Sequence, residues 1–104
     1  GAPERINATG EGGAFRPEVA VSASGAAIAV WLQSDGSRDD VWSSTYTPET
    51  GWTTAERVDP SRQGIGPPIQ AEVACDADGD AMAVWRVTDG QIFGEAHVWA
   101  ARYE

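Results

Sequence analysis

The apolar residues of this chain come in short alternating bursts separated by polar, glycine-rich breaks. That pattern predicts strands and turns. A first strand is expected near Glu18 to Ser22, running through a Ser-Gly turn into a second near Ala26 to Leu32. Asp35 to Asp40 reads as a polar turn before a third strand near Val41 to Thr47. Pro48-Glu-Thr-Gly51 is a further turn before a fourth strand, Trp52 to Val58. The Gly/Pro-rich stretch Pro60 to Pro68 then crosses to a second set near Glu72 to Asp76, Asp80 to Val87 and His97 to Tyr103. In Ala27-Ile28-Ala29-Val30-Trp31, large aliphatic residues occupy one side and alanines the other, so both faces are expected to be buried. The alanine side leaves room for another sheet to approach closely. The third strand is more polar and is expected nearer a rim.

The second set copies the first. Val19-Ala-Val-Ser-Ala-Ser-Gly-Ala-Ala-Ile-Ala-Val-Trp31 and Val73-Ala-Cys-Asp-Ala-Asp-Gly-Asp-Ala-Met-Ala-Val-Trp85 agree at eight of thirteen positions, at an offset of 54. Val41-Trp42-Ser-Ser-Thr-Tyr46 falls on Val98-Trp99-Ala-Ala-Arg-Tyr103, and Glu4-Arg5-Ile6-Asn7 on Glu56-Arg57-Val58-Asp59. A repeat of about 50 residues points to a propeller or solenoid unit.

The pattern Pro-x-Val-Ala-Val-x-x-x-Gly-x-Ala-x-Ala-Val-Trp, followed by Val-Trp-x-x-x-Tyr and Gly-Trp, resembles the blade of a bacterial β-propeller over nearly the whole chain. The tryptophan-aspartate repeat signature and the Ser-x-Asp-x-Gly-x-x-Trp box of sialidases are missing. The resemblance implies an all-β fold of two four-stranded antiparallel blades in a single unit spanning 1–104. Residues 1–17 would supply a spare outermost strand (Glu4 to Asn7) and a crossing loop, 18–59 the first blade, and 60–104 a second blade lacking its outermost strand. A ring needs at least about four blades. Copies of the chain are therefore expected to complete it as a homo-oligomer, three chains making six blades or four making eight, each N-terminal strand finishing a neighbour's blade. The organisation is similar to that of two-blade oligomerising lectins, without a motif of theirs.

Composition narrows the partners. Seven arginines and no lysine stand against sixteen acidic residues, a net charge of −9 in 104 residues. Nucleic acid and anionic membrane surfaces would be repelled. The longest apolar run, Ala26 to Leu32, is far short of the roughly 20 residues of a helical span. One cysteine excludes an intrachain disulfide and a multi-cysteine metal site.

Candidate chemistry is sparse. Cys75 falls on Val21 of the first copy, a packing position, and His97 is the only histidine, so no catalytic dyad or triad is expected. Asp76-Ala-Asp78-Gly79-Asp80 looks like the start of a calcium loop, but the matching residues Ser22, Ser24 and Ala26 carry no charge. It reads as a hairpin turn; no metal or cofactor is expected. The repeated tryptophans Trp31, Trp85, Trp42 and Trp99 read as blade packing, whereas Trp52 could stack on a sugar face. Loops expected on one face of a ring, within 8–17, 33–40, 60–71 and 86–96, hold Phe15, Arg16, Arg38, Asp39, Arg62, Gln63, Gln91, Phe93 and Glu95. Together with Trp52 these are the candidate ligand-binding residues, suited to a neutral polyol or glycan. The expected function is thus a non-enzymatic, carbohydrate-binding, lectin-like propeller with repeated weak sites. The alternative is a structural or protein-interaction unit with no ligand of its own.

Overall fold

The computed structural model describes residues 3–8, 12–34, 39–58, 68–88 and 96–103. Two turns of the same design set the plan. At Ser22–Ala26 the Ser22 amide donates to the Ala26 carbonyl at 2.8 Å, and at Asp76–Asp80 the Asp76 amide donates to the Asp80 carbonyl at 2.9 Å. Each turn needs a left-handed residue, supplied by Gly25 (φ 89°) and Gly79 (φ 96°), a region that costs a residue with a Cβ about 1–2 kcal/mol. The first turn joins β1 (Ala14–Val21) to β2 (Ala27–Ser34), and the second joins β6 (Pro68–Cys75) to β7 (Ala81–Thr88). The ladders match to the residue, with Val21 opposite Ala27 and Cys75 opposite Ala81. Both carry an irregularity at the same repeat position, Phe15/Glu18 and Ile69/Glu72.

β2 pairs with β3 (Asp39–Thr47) and β7 with β8 (Ala96–Tyr103), all antiparallel, with Trp31 opposite Trp42 and Trp85 opposite Trp99. On the far side of β3 the expected fourth strand is broken in two. β4 (Gly51–Trp52) and β5 (Glu56–Arg57) each pair with β3, and 53–55 lie between them without a strand. Thr53 makes the break. Its amide still donates to the Thr45 carbonyl at 2.8 Å, but its hydroxyl accepts the Thr45 amide at 3.0 Å, so that a side-chain bond stands in for the returning ladder bond. The result is all-β, one five-stranded and one three-stranded antiparallel sheet, with no helix among the described residues.

The sheets stack large on small. Ile28, Val30, Leu32 and Val41 of the first sheet pack against Ala71, Ala81, Ala83, Trp85 and Val87 of the second, joined by half-buried Ala20, Val73, Cys75, Trp99, Ala101 and Tyr103. Alanines at 81 and 83 keep the second backbone low enough for aliphatic side chains to seat on it. Burying each of those aliphatics contributes about 1.5–3 kcal/mol. Ser43 and the Tyr103 hydroxyl meet across the joint at 3.2 Å.

Three expectations are corrected. β3, expected to be more polar and nearer a rim, is third in its sheet with β4 and β5 beyond it, yet it is buried from Asp40 to Ser44. Its polar groups are satisfied from several sides, Ser44 Oγ donating to the Thr53 carbonyl at 2.7 Å and Asp40 pairing with Arg57 at 3.3 Å. Phe15 and Arg16, read as loop residues, lie in β1 at its irregularity, where Arg16 takes φ 53°. Asp39, also read as loop, opens β3 opposite Ser34. In the single chain, moreover, residues 3–8 carry no strand; Ile6 and Ala8 pack against Ala29, Trp31 and Trp42 on the outer face of the first sheet.

Two outcomes follow from this packing. Ile28→Ala should lower stability by roughly 2–5 kcal/mol in urea denaturation, because Ile28 is fully enclosed in the joint. Burial pushes the Tyr103 hydroxyl above its ordinary value; the Ser43 hydrogen bond opposes this and nearby Glu56 adds to it. The folded chain therefore holds the phenolic proton more tightly than the unfolded chain. This contribution is complete below the ordinary tyrosine range of about pH 10 and is lost as pH rises through the folded value. Melting temperature should fall more steeply above that pH in the parent chain than in Tyr103→Phe.

Candidate functional site

The cavities of the first sheet's outer face are made by residues 3–8. Gln33, fully buried on β2, accepts from Trp31 Nε1 at 2.8 Å through Oε1 and donates from Nε2 to the carbonyls of Ala8, at 2.9 Å, and Gly12, at 3.3 Å. One side chain thus satisfies an indole and clips the N-terminal segment down. Gly12 sits so close that a Cβ there would be 2.8 Å from the Ser34 carbonyl oxygen.

The larger cleft, about 410 Å³, runs between residues 4–8 and 52–55. One wall carries Trp52, half-buried beside the tilted Tyr46 ring at 5.3 Å and 50°. The Thr53 hydrogen bonds to β3 fix this wall. The opposite wall offers Arg5, whose Nε donates to Asn7 Oδ1 at 2.8 Å, together with Glu4. A second cleft of about 180 Å³ lies on the other side of Ile6 and Asn7, formed with Ala14, Phe15, Pro17, Ala29 and Trp31; it is mostly apolar.

The ten candidate residues fare unequally. Trp52 lines the larger cleft and Phe15 the smaller; Arg16 is exposed on β1 and Asp39 is half-buried on β3, outside the lining of these two clefts. Arg38, Arg62, Gln63, Gln91, Phe93 and Glu95 lie outside the described residues. Missed were Arg5, Asn7 and Gln33. Gln33 had a signal, an amide standing where the other copy has Val87, a polar residue at an apolar repeat position.

The acidic turn works as a turn. Asp76 Oδ1 accepts the amides of Asp78 at 2.9 Å and Asp80 at 3.1 Å. Among the described residues no three His, Cys, Asp or Glu side chains are grouped to hold a metal ion. Cys75 packs half-buried against the joint; burial and then the Asp76 carboxylate push its thiol above the ordinary range, away from the reactive thiolate.

Comparisons with protein families, with curated proteins and with solved structures return no match. What the fold itself defines is a class: an all-β chain of two stacked antiparallel sheets built from one repeated hairpin design.

Proposed function

We propose that the chain is a non-enzymatic assembly module, two β-propeller-type blades whose open faces receive further blades from copies of the same chain, six or eight to a ring. One observation carries this reading: residues equivalent by repeat have opposite exposure. Ile28 (2% exposed) and Val41 (5%) are buried in the joint, whereas their counterparts Met82 (46%) and Val98 (75%) face solvent on the outer side of the second sheet. At the other end Val19 (60%) and Val21 (67%) are exposed, whereas their counterparts Val73 and Cys75 pack against the core. The chain thus displays an aliphatic face at one end and, at the other, exposed Val19 and Val21 beside a complementary face of Ala29, Trp31 and Trp42 that residues 3–8 cover. The intrachain joint is the template for their union. Such a contact is head to tail and closes a ring when the rotation per blade suits. Adjacent apolar side chains left in water mark an interface.

Light scattering behind size exclusion should give a multiple of the 11.0 kDa chain. Val98→Glu and Val19→Glu, at exposed positions, should each be monomeric with an unchanged β-sheet spectrum, and their mixture should form a dimer through the one intact pair of faces. A parent chain that is monomeric at every concentration overturns the reading, as does Val19→Glu associating like the parent.

The cleft at Trp52 supports a second reading, the binding of a neutral sugar. A half-exposed indole offers an apolar stacking face, and Arg5, Asn7 and Glu4 offer donors and acceptors beside it. A panel of neutral oligosaccharides should then change tryptophan fluorescence, and Trp52→Ala should weaken binding roughly tenfold or more, about 1.4 kcal/mol. Silence on a glycan array at high protein concentration removes this reading.

A further inference from the structure

We infer that residues 3–8 are a strap with two alternative seats, one closed over the chain's own first sheet and one on the free edge of β8 in a second copy. The inference rests on the assembly reading and adds how assembly is controlled. In the closed seat Ile6 and Ala8 cover Ala29, Trp31 and Trp42, with Gln33 as the latch. That surface is the repeat equivalent of Ala83, Trp85 and Trp99, which in the intrachain joint are covered by the neighbouring sheet. The strap therefore occupies the place a second copy's Met82 and Val98 face would take. Head-to-tail contact requires it to leave.

The second seat has a template within the chain. Glu56-Arg57 pairs with β3, Arg57 opposite Trp42 and Glu56 opposite Ser43; the Val58 amide donates to the Val41 carbonyl at 2.9 Å, and the Arg57 guanidinium lies 4.9 Å from the centre of the Trp42 ring. Glu4-Arg5-Ile6 repeats Glu56-Arg57-Val58, and Val98-Trp99 repeats Val41-Trp42. Among the described residues β8 ends its sheet, and Trp99 Nε1 is buried without a hydrogen-bond partner, so this edge is the less complete of the two. Transferring the template puts Arg5 of one copy on Trp99 of the next and the Ile6 amide on the Val98 carbonyl. The Trp52 cleft, one wall of which is the strap, exists only in the closed seat.

Association constants of full-length variants, from sedimentation, test the exchange. Gln33→Val, which installs the residue of the second copy and releases the latch, should tighten association. Ile6→Pro also weakens the closed seat but removes the amide that the β8 edge would accept, and it should weaken association. Arg5→Ala should weaken it by roughly two- to fivefold. Backbone amides at 98–100 should exchange more slowly in the assembled parent chain than in monomeric Val19→Glu. If Ile6→Pro and Arg5→Ala associate as tightly as the parent or more tightly, or if 98–100 gain no protection, the exchange is overturned while head-to-tail assembly stands. If the parent chain does not associate at all, the assembly reading itself fails.

Discussion

β2 and β7 are apolar on both faces, and every level of the structure answers the need to cover such a strand twice. The alternation of alanine with larger aliphatic residues decides how. An alanine face lets a neighbouring sheet come close, an aliphatic face fills the space, and the two complement each other only when sheets stack in the same sense. Ile28, Val30 and Leu32 against Ala81, Ala83 and Trp85 are one such union. Stacking in one sense has no natural end. A chain with two sheets satisfies one joint and leaves a face of each kind over.

The first sheet's spare face is treated differently from the second's. Residues 3–8 lie on it, held by Gln33, which also satisfies the Trp31 indole. At the equivalent place in the second copy, Val87 packs directly in the joint. A single amide for a single aliphatic side chain thus separates a face closed by its own chain from a face closed by a neighbouring sheet. Polar groups serve the same end along β3, where Ser43, Ser44 and Asp40 are buried yet each has a partner in a different element. Buried polar atoms are costly when unpaired, about 1–3 kcal/mol each, so these contacts align the sheet edge, the break at Thr53 and the joint with one another.

Much of the fold was legible because it is local. The turns at Gly25 and Gly79 follow from Ser/Asp-x-x-Gly spacing, the strands around them from period-two alternation, and the equality of the two hairpins from the copied residues themselves. The burial of β3 was not legible for a physical reason: serine and aspartate look solvent-facing until a partner is present, and the partners Thr53, Arg57 and Tyr103 come from 9, 17 and 60 residues away. Phe15, Arg16 and Asp39 were read as loop because strand ends carry weak patterning, although one ladder extends past Phe15 and Arg16 to Ala14 and the other begins at Asp39. Of the candidate site, Trp52 was found from its chemistry, whereas the Arg5 and Asn7 wall was not, since nothing in their own neighbourhood says which surface they will lie on.

The amino-acid pattern by itself determined the all-β class, the division into two copies, the hairpin turns and the two-faced apolar strands, since each depends on residues within a few positions of one another. Only the tertiary structure decided which of the equivalent faces are covered. Ile28 and Met82 occupy the same place in the repeat, yet one is enclosed and the other open, because burial is set by what lies across the gap, and among the described residues no strand lies against the outer side of the second sheet.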